Sequence, residues 1–113
     1  MLHNPHPLLK YALPLLLMTQ IAQAKTVHGV RLPSRCKQLE ANRCRSPFPF
    51  SATIRWLEKS LRKRGHKVQF RRVVDLPDVI VAHAETQKSQ SLWVGINVAQ
   101  YDGSVKIFII PRQ

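Results

Sequence analysis

The dipeptide Asp102-Gly103 constrains this chain more than any other feature. Asp-Gly between two runs of alternating apolar residues marks a two-residue type I′ turn, because both central positions of that turn need φ > 0. If Tyr101 pairs with Ser104, Val98 faces Ile107 and Ile96 faces Ile109. Val94, Ile96, Val98, Val105, Ile107 and Ile109 then share one face. A slip of one residue would scatter them, so turn and pattern specify the same register. Strands are predicted over residues 92–100 and 104–110, the second ended by Pro111. The opposite face would carry Trp93, Ala99, Tyr101, Phe108 and Ile110, mixed with Asn97 and Lys106. That is too apolar to be left wholly in water. Either the N-terminal segment covers it or it is an interface, with Trp93, Tyr101 and Phe108 as its contact residues.

Two further strands are expected upstream, over residues 68–74 and 79–85, separated by Asp75-Leu76-Pro77-Asp78. Before them lies an amphipathic helix, expected over residues 52–64. Ser51 is its expected N-cap and Gly65 suits the left-handed position just past its end. Ile54, Leu57 and Leu61 recur at i, i+3 and i+7, and Phe50 extends that stripe backwards. Glu58 and Arg62 have the favourable order for a helical ion pair, and Arg62-Lys63-Arg64 complement the negative pole of the helix. The prolines of Ser46-Pro47-Phe48-Pro49-Phe50 make that stretch a rigid connector. The expected architecture is α+β: one helix packed on an antiparallel sheet of three to four strands, in one small domain.

The other end of the chain reads as an export signal. Residues 1–24 combine a weakly positive start, the apolar run Tyr11 to Met18, and Ala22-Gln23-Ala24 with small residues at −3 and −1. This is the pattern of a cleavable signal peptide, and eight apolar residues fall far short of the roughly 20 that span a bilayer. The expected organisation is a signal peptide over 1–24, then a basic arm over 25–50 with the Cys pair and the Pro-rich connector. The helix and sheet follow over 51–113, forming a single domain with that arm. The destination would be the periplasm or the outside of the cell.

Cys36 and Cys44 are the two cysteines. In an oxidising compartment such a pair is most simply a disulfide; free thiols or metal ligation are the other readings. On one straight helix eight residues rise about 12 Å, too far for a disulfide, so pairing requires residues 35–45 to fold back as a loop or a broken helix. Metal binding would need more soft ligands nearby, and only His28 lies close upstream.

Charge is segregated along the chain. Residues 25–72 hold 14 Lys and Arg against Glu40 and Glu58, whereas residues 73–113 hold Lys88, Lys106 and Arg112 against four acids. A basic half implies a directional field and an acidic partner. On the helix, Arg55, Lys59 and Lys63 lie opposite the apolar stripe with Trp56 among them, and Arg62, Lys67, Arg71 and Arg72 continue the run. An aromatic within a basic surface suits anchoring of a protein partner, seating at a lipid interface, or stacking on bases. The plainer reading makes Trp56 a boundary core residue and the cations a solvated face. Arg71 and Arg72, adjacent in a strand, point to opposite faces unless a bulge intervenes.

His28, His66 and His83 supply the components of an acid–base pair, but as scattered single residues without a catalytic motif. There is no phosphate-binding Gly-rich loop, nucleophile elbow or zinc-spaced cluster. No catalytic residue, cofactor or metal is assigned. The sequence is read as a non-enzymatic exported binding domain that docks an acidic protein, as an envelope-assembly component or an inhibitor. The alternative is a secreted cationic effector that binds nucleic acid or anionic envelope lipid, with nuclease activity as its extreme form.

Overall fold

The computed structural model describes residues 25–113, so the expected export signal lies outside the described residues. The order of elements is β1 (Thr26–Val27), β2 (Val30–Arg31), β3 (Lys37–Glu40), β4 (Arg43–Arg45), α1 (Phe50–Lys63), β5 (Arg71–Asp75), β6 (Ile80–Glu85), β7 (Trp93–Tyr101) and β8 (Ser104–Pro111). Strands β3 to β8 form one antiparallel sheet in the order β3-β4-β8-β7-β6-β5, and β1 and β2 pair separately as a two-stranded ribbon.

The central hairpin takes the register its turn demands. Tyr101 pairs with Ser104, Val98 with Ile107 and Ile96 with Ile109, and Asp102 and Gly103 have φ of 52° and 71°. Ile96, Val98, Ile107 and Ile109 are buried with Leu57, Leu61 and Phe50 of the helix, which therefore packs on this face. Ala82 of β6 and Val30 and Leu32 of the ribbon complete the same core. The strand pairs β7–β8 and β6–β7 thus form the centre of the sheet, and both edges are short strands.

Six strands replace the expected three to four because residues 36–44 do not form a loop or a broken helix. They fold as a hairpin, β3–β4, turning at Ala41-Asn42. Cys44 points into the core between outward-facing Arg43 and Arg45, and its disulfide to Cys36 closes with the two Cα atoms 5.6 Å apart. Strand β4 adds to β8 in the register Arg43↔Phe108, Cys44↔Ile107 and Arg45↔Lys106. The N-terminal segment therefore extends the sheet sideways instead of covering the outer face of the hairpin. A disulfide is consistent with an oxidising, non-cytoplasmic location.

The helix starts and is held differently from expectation. Pro49 is its N-cap and no side chain caps it; Ser51 is exposed within the first turn. The tie is made by fully buried Thr53, whose hydroxyl donates to the carbonyls of Pro49 (2.9 Å) and Phe48 (3.2 Å) and lies 2.7 Å from Ser46 Oγ. At the other end Gly65 takes φ +88°, as the left-handed position requires. The Gly65 N–H donates to Arg62 O and the His66 N–H to Leu61 O, the paired bonds of a Schellman stop. Glu58 does not pair with Arg62. Its carboxylate accepts the Phe70 N–H at 3.1 Å, joining the helix to the segment that leads into β5.

Candidate functional site

The cations singled out from the sequence do not form one surface. On the helical wheel Trp56, Lys59 and Lys63 lie along one flank of α1; Arg55 and Arg62 sit about 40° and 60° past Lys59, farther from Trp56 and outside the groove lining. Trp56, Lys59, Ser60 and Lys63 form one wall of an open groove of about 690 Å³. The facing wall comes from Arg31 at the end of β2 and the following turn, Pro33-Ser34-Arg35, and the floor from Pro47 and Phe48 of the connector. The His28-Gly29 turn, with φ of 48° and 81°, folds the ribbon back so that Val30 and Leu32 enter the core and Arg31 faces out.

This groove is the candidate site. Four cations line it, Arg31, Arg35, Lys59 and Lys63, and no acid does. Arg31 faces out between inward Val30 and Leu32, as strand alternation requires, and the spacing of Val27, Val30 and Leu32 among polar residues already suggests a short strand or extended arm there. For Arg35 the early signal was the density of bases in residues 25–45. Trp56 reconciles the two readings made of it: it is partly buried and packed against the core, yet one part of it lines the groove. Long cationic side chains around an indole and a Pro–Phe floor offer charge together with flat apolar contact.

The remaining basic residues lie elsewhere. Arg72 is held by Asp75 at 3.5 Å and stands 5.7 Å over the Phe50 ring. The expected complication at Arg71-Arg72 is a register shift between Arg72 and Val74. Lys67 and Arg71 border a separate shallow hollow with His83 and Glu85. There His83 Nδ1 lies 2.6 Å from Asn97 Oδ1 and its Nε2 lies 3.5 Å from Glu85 Oε2. His28 is a turn residue. His66 packs its ring 5.4 Å from that of Trp93 and lies 3.2 Å from Thr86 Oγ1. Burial, and then the Lys88 charge, hold the His66 imidazole below its ordinary pKa. The three imidazoles occupy separate places, and among the described residues no three His, Cys, Asp or Glu side chains group as metal ligands would.

The hairpin face proposed as a secondary interface is divided. A register shift between Trp93 and Gly95 turns Trp93 inward, and it is 1% exposed. Tyr101 and Phe108 stay on the outer face, each under a cation: Lys106 Nζ stands 3.6 Å from the Tyr101 ring centroid, and the Arg43 guanidinium 5.4 Å from that of Phe108. Comparison with protein families, with curated proteins and with solved structures returned no match to this chain. The fold and the groove alone carry the functional argument.

Proposed function

We propose that this protein is an exported, non-enzymatic binding domain whose groove docks an acidic segment of a protein partner. The supporting observation is the groove itself, with Arg31, Arg35, Lys59 and Lys63 around Trp56 and no carboxylate in its lining. Four cations with no internal counter-charge favour an anionic occupant. Trp56 and Phe48 give such an occupant an apolar anchor of the kind that dominates protein interfaces. Guanidinium groups at Arg31 and Arg35 suit bidentate capture of carboxylates. The disulfide agrees with the export reading of residues 1–24, under which the working chain begins at Lys25.

The test uses protein purified after export, its N-terminus fixed by intact mass, and two probes of equal charge. One is a Glu- and Asp-rich peptide carrying a central Leu; the other is a single-stranded oligonucleotide. Arg35→Gln, Lys59→Gln and Lys63→Gln together should weaken peptide binding at least tenfold while stability moves by less than about 0.5 kcal/mol. The matched change Arg55→Gln, Arg62→Gln and Arg64→Gln should leave most of the affinity. Equal losses in the two variants would reject the groove. Preference for the oligonucleotide, with a log–log salt slope of about −0.7 per phosphate contacted, would shift the reading to nucleic acid.

A further inference from the structure

On the outer face of the sheet, opposite the face that packs on the helix, the register aligns three cations in one row. Lys37 of β3 is directly opposite Arg45 of β4, and Arg45 is directly opposite Lys106 of β8. Directly opposed residues on one face hold their Cβ atoms about 4.5–5.5 Å apart, and like charges so placed are destabilising. No carboxylate relieves them: among the described residues Glu40 pairs with Arg43 and Asp75 with Arg72, and Glu85 lies 3.5 Å from the His83 ring. On this face Glu40 is matched to Arg43, Glu85 sits beside His83 on β6, and Asp102 lies beyond the row at the hairpin tip. Lys106 is fixed, being only 9% exposed, with its ammonium donating to Ser104 Oγ at 2.9 Å and the Tyr101 carbonyl at 3.4 Å. Lys37 and Arg45 are exposed.

We propose that the outer face around this row is a membrane-docking site, with exposed Lys37 and Arg45 binding the phosphate groups of anionic lipid headgroups and Lys106 adding to the field behind them. Repeated cations on a sheet match repeated phosphates on a bilayer surface, where each Lys or Arg adds to the attraction. The side chains beside the row suit the same surface. Tyr101, Phe108 and Ile110 remain partly exposed around it, and aromatic rings with a polar or cationic neighbour seat at the headgroup level.

The experiment is vesicle sedimentation of the exported protein, every variant sharing one N-terminus. Vesicles of phosphatidylcholine with 30% phosphatidylglycerol (a chosen composition, about one anionic headgroup in three) are set against phosphatidylcholine alone. Binding is expected only to the anionic vesicles. Lys37→Gln with Arg45→Gln should weaken it about tenfold to thirtyfold. Arg55→Gln with Arg62→Gln removes the same charge from the helix side, where a Debye length of about 8 Å screens it from the membrane, and should cost less than about threefold. The Lys37/Arg45 variant should also melt no lower than the wild type, because it relieves repulsion. Equal losses in the two variants would reduce binding to net charge and overturn the proposal. So would a lower melting temperature for the sheet variant. Stabilisation by free pyrophosphate without any vesicle binding would overturn it too, assigning the row to a soluble anion.

Discussion

Strands β7 and β8 run nine and eight residues, whereas no strand before the helix exceeds four. The two regions are ordered by different forces. The C-terminal hairpin is written in its own sequence: a turn with two positive φ values and a strict period of two that buries Ile96, Val98, Ile107 and Ile109. Residues 25–49 have no such pattern. They are held by Val30 and Leu32 in the core, by one tight turn at His28-Gly29, by the Cys36–Cys44 bridge and by the pairing of β4 with β8. The stapled region supplies Arg31, Arg35 and the Pro47–Phe48 floor of the groove, and Lys37 and Arg45 of the outer row. A scaffold with a self-specified register thus carries a cationic attachment too polar to order itself.

Removing the bridge should break that contrast most strongly. Cys36→Ala with Cys44→Ala opens a short loop, and the expected loss is about 2–3 kcal/mol. For a domain of this size that lowers Tm by roughly 8–20 °C. Hydrogen exchange should show the loss concentrated in residues 25–45, with the β7–β8 amides protected until global unfolding. A uniform rise in exchange across the sheet would show that the two regions form one cooperative unit.

What could be read in advance follows the same division. The hairpin register and the stop at Gly65 were legible because each rests on local geometry, a turn type and a left-handed cap. Strands β3 and β4 were not, because Lys37-Gln38-Leu39-Glu40 and Arg43-Cys44-Arg45 are polar and too short to display a period. Their pairing depends on β8, more than sixty residues later in the chain. Trp93 was assigned to the wrong face because the register shift before Gly95 reverses its direction, and the isolated Gly95, opposite Ile110 near the end of β8, was not weighed as the bulge signal it is. For the site, Trp56, Lys59 and Lys63 were visible from the helix pattern. Arg31 and Arg35 were missed because tertiary packing alone brings their turn against the helix.

A change at Gly103 would sharpen the comparison from the other side. Its φ is +71°, and a Cβ built there meets nothing within 4 Å, so any loss on substitution is backbone strain and not a clash. Gly103→Ala should therefore cost about 1–2 kcal/mol. The cost should appear as a lower global Tm, because β7 and β8 form the centre of the sheet, with the disulfide region following and not leading. Gly103→Ala that left Tm unchanged would show that the strand pattern sets the register without help from its turn.

The smallest expected effect is a pH dependence located where the helix exit meets the sheet. His66 packs against Trp93, lies 3.2 Å from Thr86 Oγ1, and has its pKa lowered first by burial and second by the Lys88 ammonium. A histidine with a depressed folded pKa binds its proton less readily in the folded chain than in the unfolded one, whose value is near 6.5. Its contribution to stability is therefore complete above about pH 6.5 and is lost as pH falls from there through the folded pKa. Below the folded pKa the loss is constant. Tm should drop between pH 7.5 and pH 5.5, by less than either change above. His66→Gln should flatten that slope. Lys88→Gln should shrink it, because removing the nearby ammonium raises the folded pKa towards the unfolded one. Burial, the larger cause, remains in the Lys88 variant, so part of the slope should survive there. An NMR titration of the His66 ring in wild type and in Lys88→Gln reads the same quantity directly. If the two titrations coincide, the charge of Lys88 has no part in it and desolvation against Trp93 is the whole cause.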